Sequence, residues 1–342
     1  MSPASSSSRE PRAVIFGAAG PALNDEEKKF FRSADPLGFI LFARNCENPA
    51  QVKSLVKDLR ETVGREDAPV LIDQEGGRVA RLKPPHWPEY PPASAIAAAK
   101  NPEEAAFLGA RLIADDLAAL GITVDCAPVL DLPVPGSDAI IGDRAYGTDP
   151  AIVATLGRAV CDGLLAGGVL PIIKHIPGHG KAGVDSHLAL PVVATSRAEL
   201  EAGDFAPFRA LNAMPWAMTA HIVYSAIDAD VPATLSPRLI AGTIRASIGF
   251  GGVLISDDLS MKALPGSLSG RAKGALEAGC DVVLHCNGDM KEMIGIAEAA
   301  GLLSAQARKR VDAGERRRRG AVRPFERKAA EARFAALLAG QV

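Results

Sequence analysis

Leu170-Pro171-Ile172-Ile173-Lys174-His175-Ile176-Pro177-Gly178-His179-Gly180 is the stretch on which the fold turns. The run Leu170 to Ile173 has the apolar character of a fully buried strand. It ends on a cation and an imidazole, and Pro177 with Gly178 argues for a loop beyond it rather than a helix. A strand that is apolar along its length and polar at its carboxyl end suits a parallel barrel, whose chemistry sits on the face where the strands end.

Seven further runs share the apolar character: Ala13 to Phe16, Gly38 to Phe42, Val70 to Ile72, Ile122 to Ala127, Ala217 to Ala220, Gly252 to Ile255 and Asp281 to Leu284. Between them lie helical patterns such as Pro49 to Val63 and Pro102 to Leu120, the first opened by Asn48 as a cap and Pro49 at the first helical position. Such alternation is the signature of βαβ units and a parallel sheet. Asp73, Gln74 and Glu75 follow the third strand, His221 the sixth, Ser256, Asp257 and Asp258 the seventh, Cys286 and Asn287 the eighth. A doubly wound sheet would instead gather its site at one switch point behind a glycine-rich first turn. The first turn here, Gly17-Ala18-Ala19-Gly20-Pro21, lacks that glycine spacing and contains a proline. The expected fold is therefore α/β, a single-domain (β/α)8 TIM barrel over 11–342 that includes a basic C-terminal helical segment, preceded by a disordered tail over 1–10.

A chain of 342 residues with 48% hydrophobic content can bury the core such a barrel needs. Its formal charge of -2 gives no reason to expect nucleic acid as a partner. Ten Lys/Arg against three Asp/Glu between Arg308 and Lys328 are the local exception, expected as a solvated helix rather than a polyanion site. Five scattered cysteines without a C-x-x-C suggest neither a disulfide framework nor a zinc site, and fit a reducing, cytoplasmic location. The Ser-rich N-terminus has no apolar core of a signal peptide, and no stretch has the apolar length to span a bilayer, so no membrane partner is expected.

Three of the six histidines fall within 174–187, where Lys174-His175-Ile176-Pro177-Gly178-His179-Gly180 is followed by Asp185-Ser186-His187. His175 and His179 stand four apart as in helical zinc sites, but the loop-forming residues between them remove the shared helical face. Acid/base catalysis is the competing reading: Asp185 lies two residues from His187, close enough to orient the imidazole and raise its pKa. The second site is Ile255-Ser256-Asp257-Asp258-Leu259-Ser260-Met261, in which a strand delivers two adjacent carboxylates. Adjacent side chains diverge, so one is expected to point at the barrel axis and the other to cap the next helix. A carboxylate opposite a proton donor is the equipment of glycoside hydrolysis, although a histidine donor departs from the usual second carboxylic acid.

The runs ILFARN (Ile40 to Asn45), DQEGGRVARL (Asp73 to Leu82), APVLDL (Ala127 to Leu132), IGDRAYG (Ile141 to Gly147), KHIPGHG with DSH, and SDDLSM (Ser256 to Met261) resemble glycoside hydrolase family 3. Within it they are similar to the NagZ-type β-N-acetylglucosaminidases (β-hexosaminidases), whose histidine loop they share. The resemblance runs in order from about Gly38 to Asn287 and implies Asp257 as nucleophile, with Asp258 as its structural neighbour. It implies His187 as general acid/base tuned by Asp185. Asp73, Arg81, Arg144, Lys174 and His175 would then bind the sugar, with Arg78 the alternative arginine. Asp143 and Ile176 stand where the family often has Glu and Phe. The implied reaction is retaining exo-hydrolysis of terminal β-linked N-acetylglucosamine, from a GlcNAc-1,6-anhydroMurNAc fragment of peptidoglycan recycling, with no metal or organic cofactor. A phosphorylase on the same scaffold is the nearer alternative, since a histidine donor would not repel phosphate. A metal-dependent or binding-only barrel is the more distant one.

Overall fold

The computed structural model of the protein describes residues 10–136, 138–186 and 189–340. Eight parallel strands close into a barrel: β1 (Arg12–Gly17), β2 (Pro36–Leu41), β3 (Val70–Ile72), β4 (Val124–Asp125), β5 (Leu170–Ile176), β6 (Trp216–Thr219), β7 (Val253–Asp258) and β8 (Val282–His285). Each pairs with its sequence neighbours, and β8 closes on β1 with Val14 opposite Val283. All eight coincide with runs expected from the sequence; β4 is shorter than its run, while β5 and β7 run on into the polar residues. A parallel pair of two-residue strands, Val192–Val193 and Val223–Tyr224, lies outside the barrel and gave no periodic signal.

Apart from the two-residue β4, each strand splits its side chains between two cores. Val14 and Phe16 join the layer under the helices, whereas Ala13 and Ile15 join the barrel interior. The interior set includes Ile40, Leu71, Cys126, Ile172, Met218, Ile255 and Leu284. Because strand side chains alternate with a period of two, the next inward position after Leu71 is Asp73, after Ile172 is Lys174 and after Ile255 is Asp257. The polar residues are thus continuations of the barrel's own packed rows. The β5–β6 pairing shifts register between Lys174 and Ile176, and β7–β8 between Val282 and Leu284. Such irregularities re-aim side chains beside active sites.

Helices Pro49–Val63, Pro102–Ala119 and Pro150–Ala166 start alike, with Asn48, Asn101 or Asp149 accepting from the first turn and proline at the start, where its missing N–H costs nothing. The basic segment is solvated on one face only. Helix Ala305–Ala321 keeps its Lys and Arg side chains exposed or half-buried but crosses the amino-terminal end of the barrel, where Leu303 and Ala307 join the interior core. Its arginines are largely engaged: Arg310 pairs with Asp281 at 2.7 Å, and Arg318 reaches the Gly168 carbonyl at 2.8 Å. Beyond that helix, Arg327 meets Asp116 at 2.6 Å. Glu10 is also held, by Arg308 at 2.7 Å. No helix among the described residues is long and apolar enough to cross a membrane.

Candidate active site

The carboxyl ends of the strands surround a cavity of about 230 Å³ lined by Asp73, Arg81, Arg144, Lys174, His175 and Asp257, with Phe42, Met218 and Met261 as apolar wall. Six of the eight residues singled out in the sequence therefore meet in one place, from segments up to 184 residues apart. Asp185 lies on the loop beside it. His187 falls outside the described residues.

A chain of charges organises the cavity. Lys174 Nζ lies 2.9 Å from Asp73 Oδ1 and 2.7 Å from Glu75 Oε1. Arg81 meets the other oxygen of Asp73 at 2.9 Å, and Arg144 donates two parallel hydrogen bonds to Glu75 at 2.8 and 2.9 Å. Burial by itself would raise the pKa of Asp73, but Lys174 and Arg81 outweigh it and hold the carboxyl well below its usual range. Glu75 is held low in the same way by Lys174 and Arg144. For Lys174 burial works downward and the two carboxylates carry the ammonium well above its ordinary value. All three are charged at neutral pH, forming fixed polar groups around a space the size of a small ligand.

Asp131 forms a second node. It is fully buried, and its Oδ2 lies 2.7 Å from His175 Nδ1. Its Oδ1 accepts from the backbone N–H groups of His175 at 3.2 Å and His179 at 2.7 Å. Burial pushes its pKa up, and the histidines with these hydrogen bonds bring it below the usual range. With Nδ1 engaged, the other ring nitrogen of His175 makes no hydrogen bond among the described residues.

Asp257 and Asp258 divide their tasks. Burial would raise the pKa of Asp257, yet His175, His221 and the Asp258 N–H at 2.8 Å lower it, leaving an ionised carboxylate on the cavity floor. Asp258 instead secures the turn: it accepts from Ser260 Oγ at 2.5 Å, Ser260 N at 3.1 Å and Cys286 N at 3.2 Å. His221, kept below its normal pKa by burial, bridges Thr234 Oγ1 at 2.7 Å and the Asp258 carbonyl at 3.0 Å. Arg78 and Arg81 also part company. Both line the cavity, but Arg78 pairs with Asp143 at 2.9 Å and donates to the Ile140 carbonyl at 2.6 Å, while Arg81 belongs to the charge chain.

Glu75 and Asp131 were not singled out as site residues. Glu75 stands two places after Asp73, and Asp131 sits within Ala127 to Leu132, but neither position reveals its partner. Among the described residues no group of three or more His, Cys, Asp or Glu is placed to hold a metal ion. His175 and His179 stand with ring centroids 5.6 Å apart, and one nitrogen of His175 is already engaged by Asp131.

Residues 12–318 match the glycosyl hydrolase family 3 N-terminal domain. A β-hexosaminidase of Alkalilimnicola ehrlichii is 39% identical over 283 residues, covering 80% of each chain. The crystal structure of NagZ from Neisseria gonorrhoeae, in complex with N-trifluoroacetyl-D-glucosamine, superposes with a TM-score of 0.85 at 33% identity, covering 96% of this chain and 98% of that one. A family 3 β-N-acetylglucosaminidase from a Paenibacillus species gives a TM-score of 0.85 at 32% identity; this chain spans 66% of that longer protein. With the family match extending over most of the barrel and over the segments that carry the cavity, the chain belongs to glycosyl hydrolase family 3.

Proposed function

We propose that the chain is a glycoside hydrolase of the β-N-acetylhexosaminidase type, a retaining exo-enzyme that releases terminal, non-reducing β-linked N-acetylglucosamine. The observation that carries this reading is the ionised, inward-facing Asp257 on the floor of a cavity ringed by Asp73, Arg81, Arg144, Lys174 and His175. Asp257 attacks the anomeric carbon, the bond to the aglycone oxygen breaks, and that oxygen takes a proton from His187, which Asp185 orients. Water then attacks the glycosyl-aspartate, giving its proton back to His187 as the Asp257 carboxylate leaves. Two inversions give net retention. The buried ion pairs select the hydroxyl pattern, because a sugar lacking a partner strands a charged group. The chemistry needs no metal or organic cofactor. The names of the relatives and the sugar analogue bound to the Neisseria protein support an acetamido sugar.

The aglycone we propose is 1,6-anhydro-N-acetylmuramic acid with or without its peptide, in cytoplasmic recycling of peptidoglycan. The sequence resemblance and the scattered cysteines support it.

The test is initial-rate hydrolysis of matched aryl β-N-acetylglucosaminide and β-glucoside, with and without phosphate, by wild type and Asp257→Ala. A preference for the acetamido sugar that disappears in the variant is expected. Preference for the glucoside overturns the substrate class, sugar 1-phosphate in the phosphate arm overturns hydrolysis, and near-native activity of Asp257→Ala overturns the nucleophile.

A further inference from the structure

His179 takes no part in the reaction as written, yet it is only 4% exposed and lies against the cavity. Its backbone N–H donates to Asp131 Oδ1 at 2.7 Å, the carboxylate that also holds His175. Its ring Nε2 stands 3.1 Å from the hydroxyl of Ser186, itself 3% exposed. Its other ring nitrogen is buried without a hydrogen-bond partner among the described residues. Burial pushes the imidazole's pKa down to about 4, so the ring is neutral, and the rotating Ser186 hydroxyl can serve either tautomer.

The loop leaving β5 is pinned close to its start. A Cβ at Gly180 would sit 2.0 Å from the Leu132 carbonyl oxygen, so the loop packs backbone to backbone there and only glycine fits. Lys181 pairs with Asp204 at 2.7 Å, and the Ala182 carbonyl accepts from Asp138 N at 3.0 Å. Its far side returns at Ser186, through the bond to His179 and through the Ser186 carbonyl, which accepts from Ala263 N at 3.2 Å. Ser186 is the residue between Asp185 and His187.

We infer that His179 is a positioning residue, a buried latch that seats the loop bearing Asp185 and His187 through the Ser186 hydroxyl. Asp131 thus fixes both the sugar-facing His175 and the anchor of the proton donor's loop. The inference rests on the reading of His187 as acid/base.

The test compares kcat/KM for 2,4-dinitrophenyl and phenyl β-N-acetylglucosaminides. Dinitrophenolate departs without protonation, whereas phenolate needs the acid, so a misplaced donor harms the phenyl substrate selectively. His179→Leu and Ser186→Ala should each cost about tenfold more on the phenyl than on the dinitrophenyl substrate, the factor that loss of one such hydrogen bond can produce. The double variant should be no worse than the singles, and His179→Gln, which can still reach Ser186, should recover most of the loss. Ser186→Ala guards against misfolding, since it removes one oxygen. Equal losses on both substrates, or none, overturn the latch when His187→Ala is itself strongly selective. If His187→Ala is not selective, the acid/base reading falls and takes the latch with it, a pattern distinct from failure of the latch alone.

Discussion

Lys174 and Asp73, 101 residues apart in the chain, meet at 2.9 Å where two inward rows of the barrel end. The ammonium is 3% exposed and also holds Glu75, so it neutralises two buried carboxylates from the centre of the cavity. Removing it leaves both with arginine partners on one side only. Lys174→Met should therefore lower stability by about 3–5 kcal/mol, the range for breaking a buried pair from one side. Urea unfolding of the variant measures this, and a change under 1 kcal/mol would show that water or the arginines compensate.

The two aspartates of β7 should separate in experiment. Asp257→Asn keeps the shape and removes the ionised oxygen, so turnover should fall by about 10⁴ or more with little change in melting temperature. Asp258→Ala loses the bonds to Ser260 and Cys286 N and should lower the melting temperature. Thermal scans alongside aryl-glycoside assays decide the assignment; the reverse pattern would exchange the roles.

How much of this was legible in advance depended on how local each signal was. The eight strands announce themselves as short apolar runs, and the inward place of Asp73, Lys174 and Asp257 follows from alternation alone. Glu75 was readable as a polar strand end but not as the bidentate partner of Arg144, because that pairing spans 69 residues and exists only once the barrel closes. Asp131 hid for the same reason. The basic C-terminal segment was only half legible: its charges do reach solvent, but the partners that Arg310 finds in Asp281 and Arg327, on the following helix, finds in Asp116 lie across the fold.

Acid should unfold the protein through the site's own carboxylates. Asp73, Glu75, Asp131 and Asp257 all have folded-state pKa values below the usual range. The unfolded chain therefore binds their protons first, so their contribution is present above about pH 4 and is lost as pH falls below it through the folded values. Unfolding free energies measured from pH 6 down to pH 2 should drop, and Asp73→Asn should shallow the drop. An unchanged slope in that variant would remove Asp73 from the account.

Asp125 works in the opposite direction. It is fully buried on β4 beneath the site, accepts from Gln74 N at 2.9 Å, and its second oxygen is buried without a hydrogen-bond partner among the described residues. Burial pushes its pKa well above the usual range, against the pull of the Gln74 N–H and Lys174, so the native protein holds a proton that the unfolded chain releases. Its contribution is complete below about pH 4 and is lost as pH rises towards the folded pKa, so the residue weakens the fold at neutral pH. Asp125→Asn keeps the shape and the acceptor for Gln74 and needs no proton. Relative to wild type, the variant should therefore gain stability between pH 4 and pH 8 and show no gain at pH 3. Urea titrations at pH 3, 5 and 8 read the difference directly. A gain of the same size at all three would mean that packing, not proton uptake, sets the cost of this carboxyl.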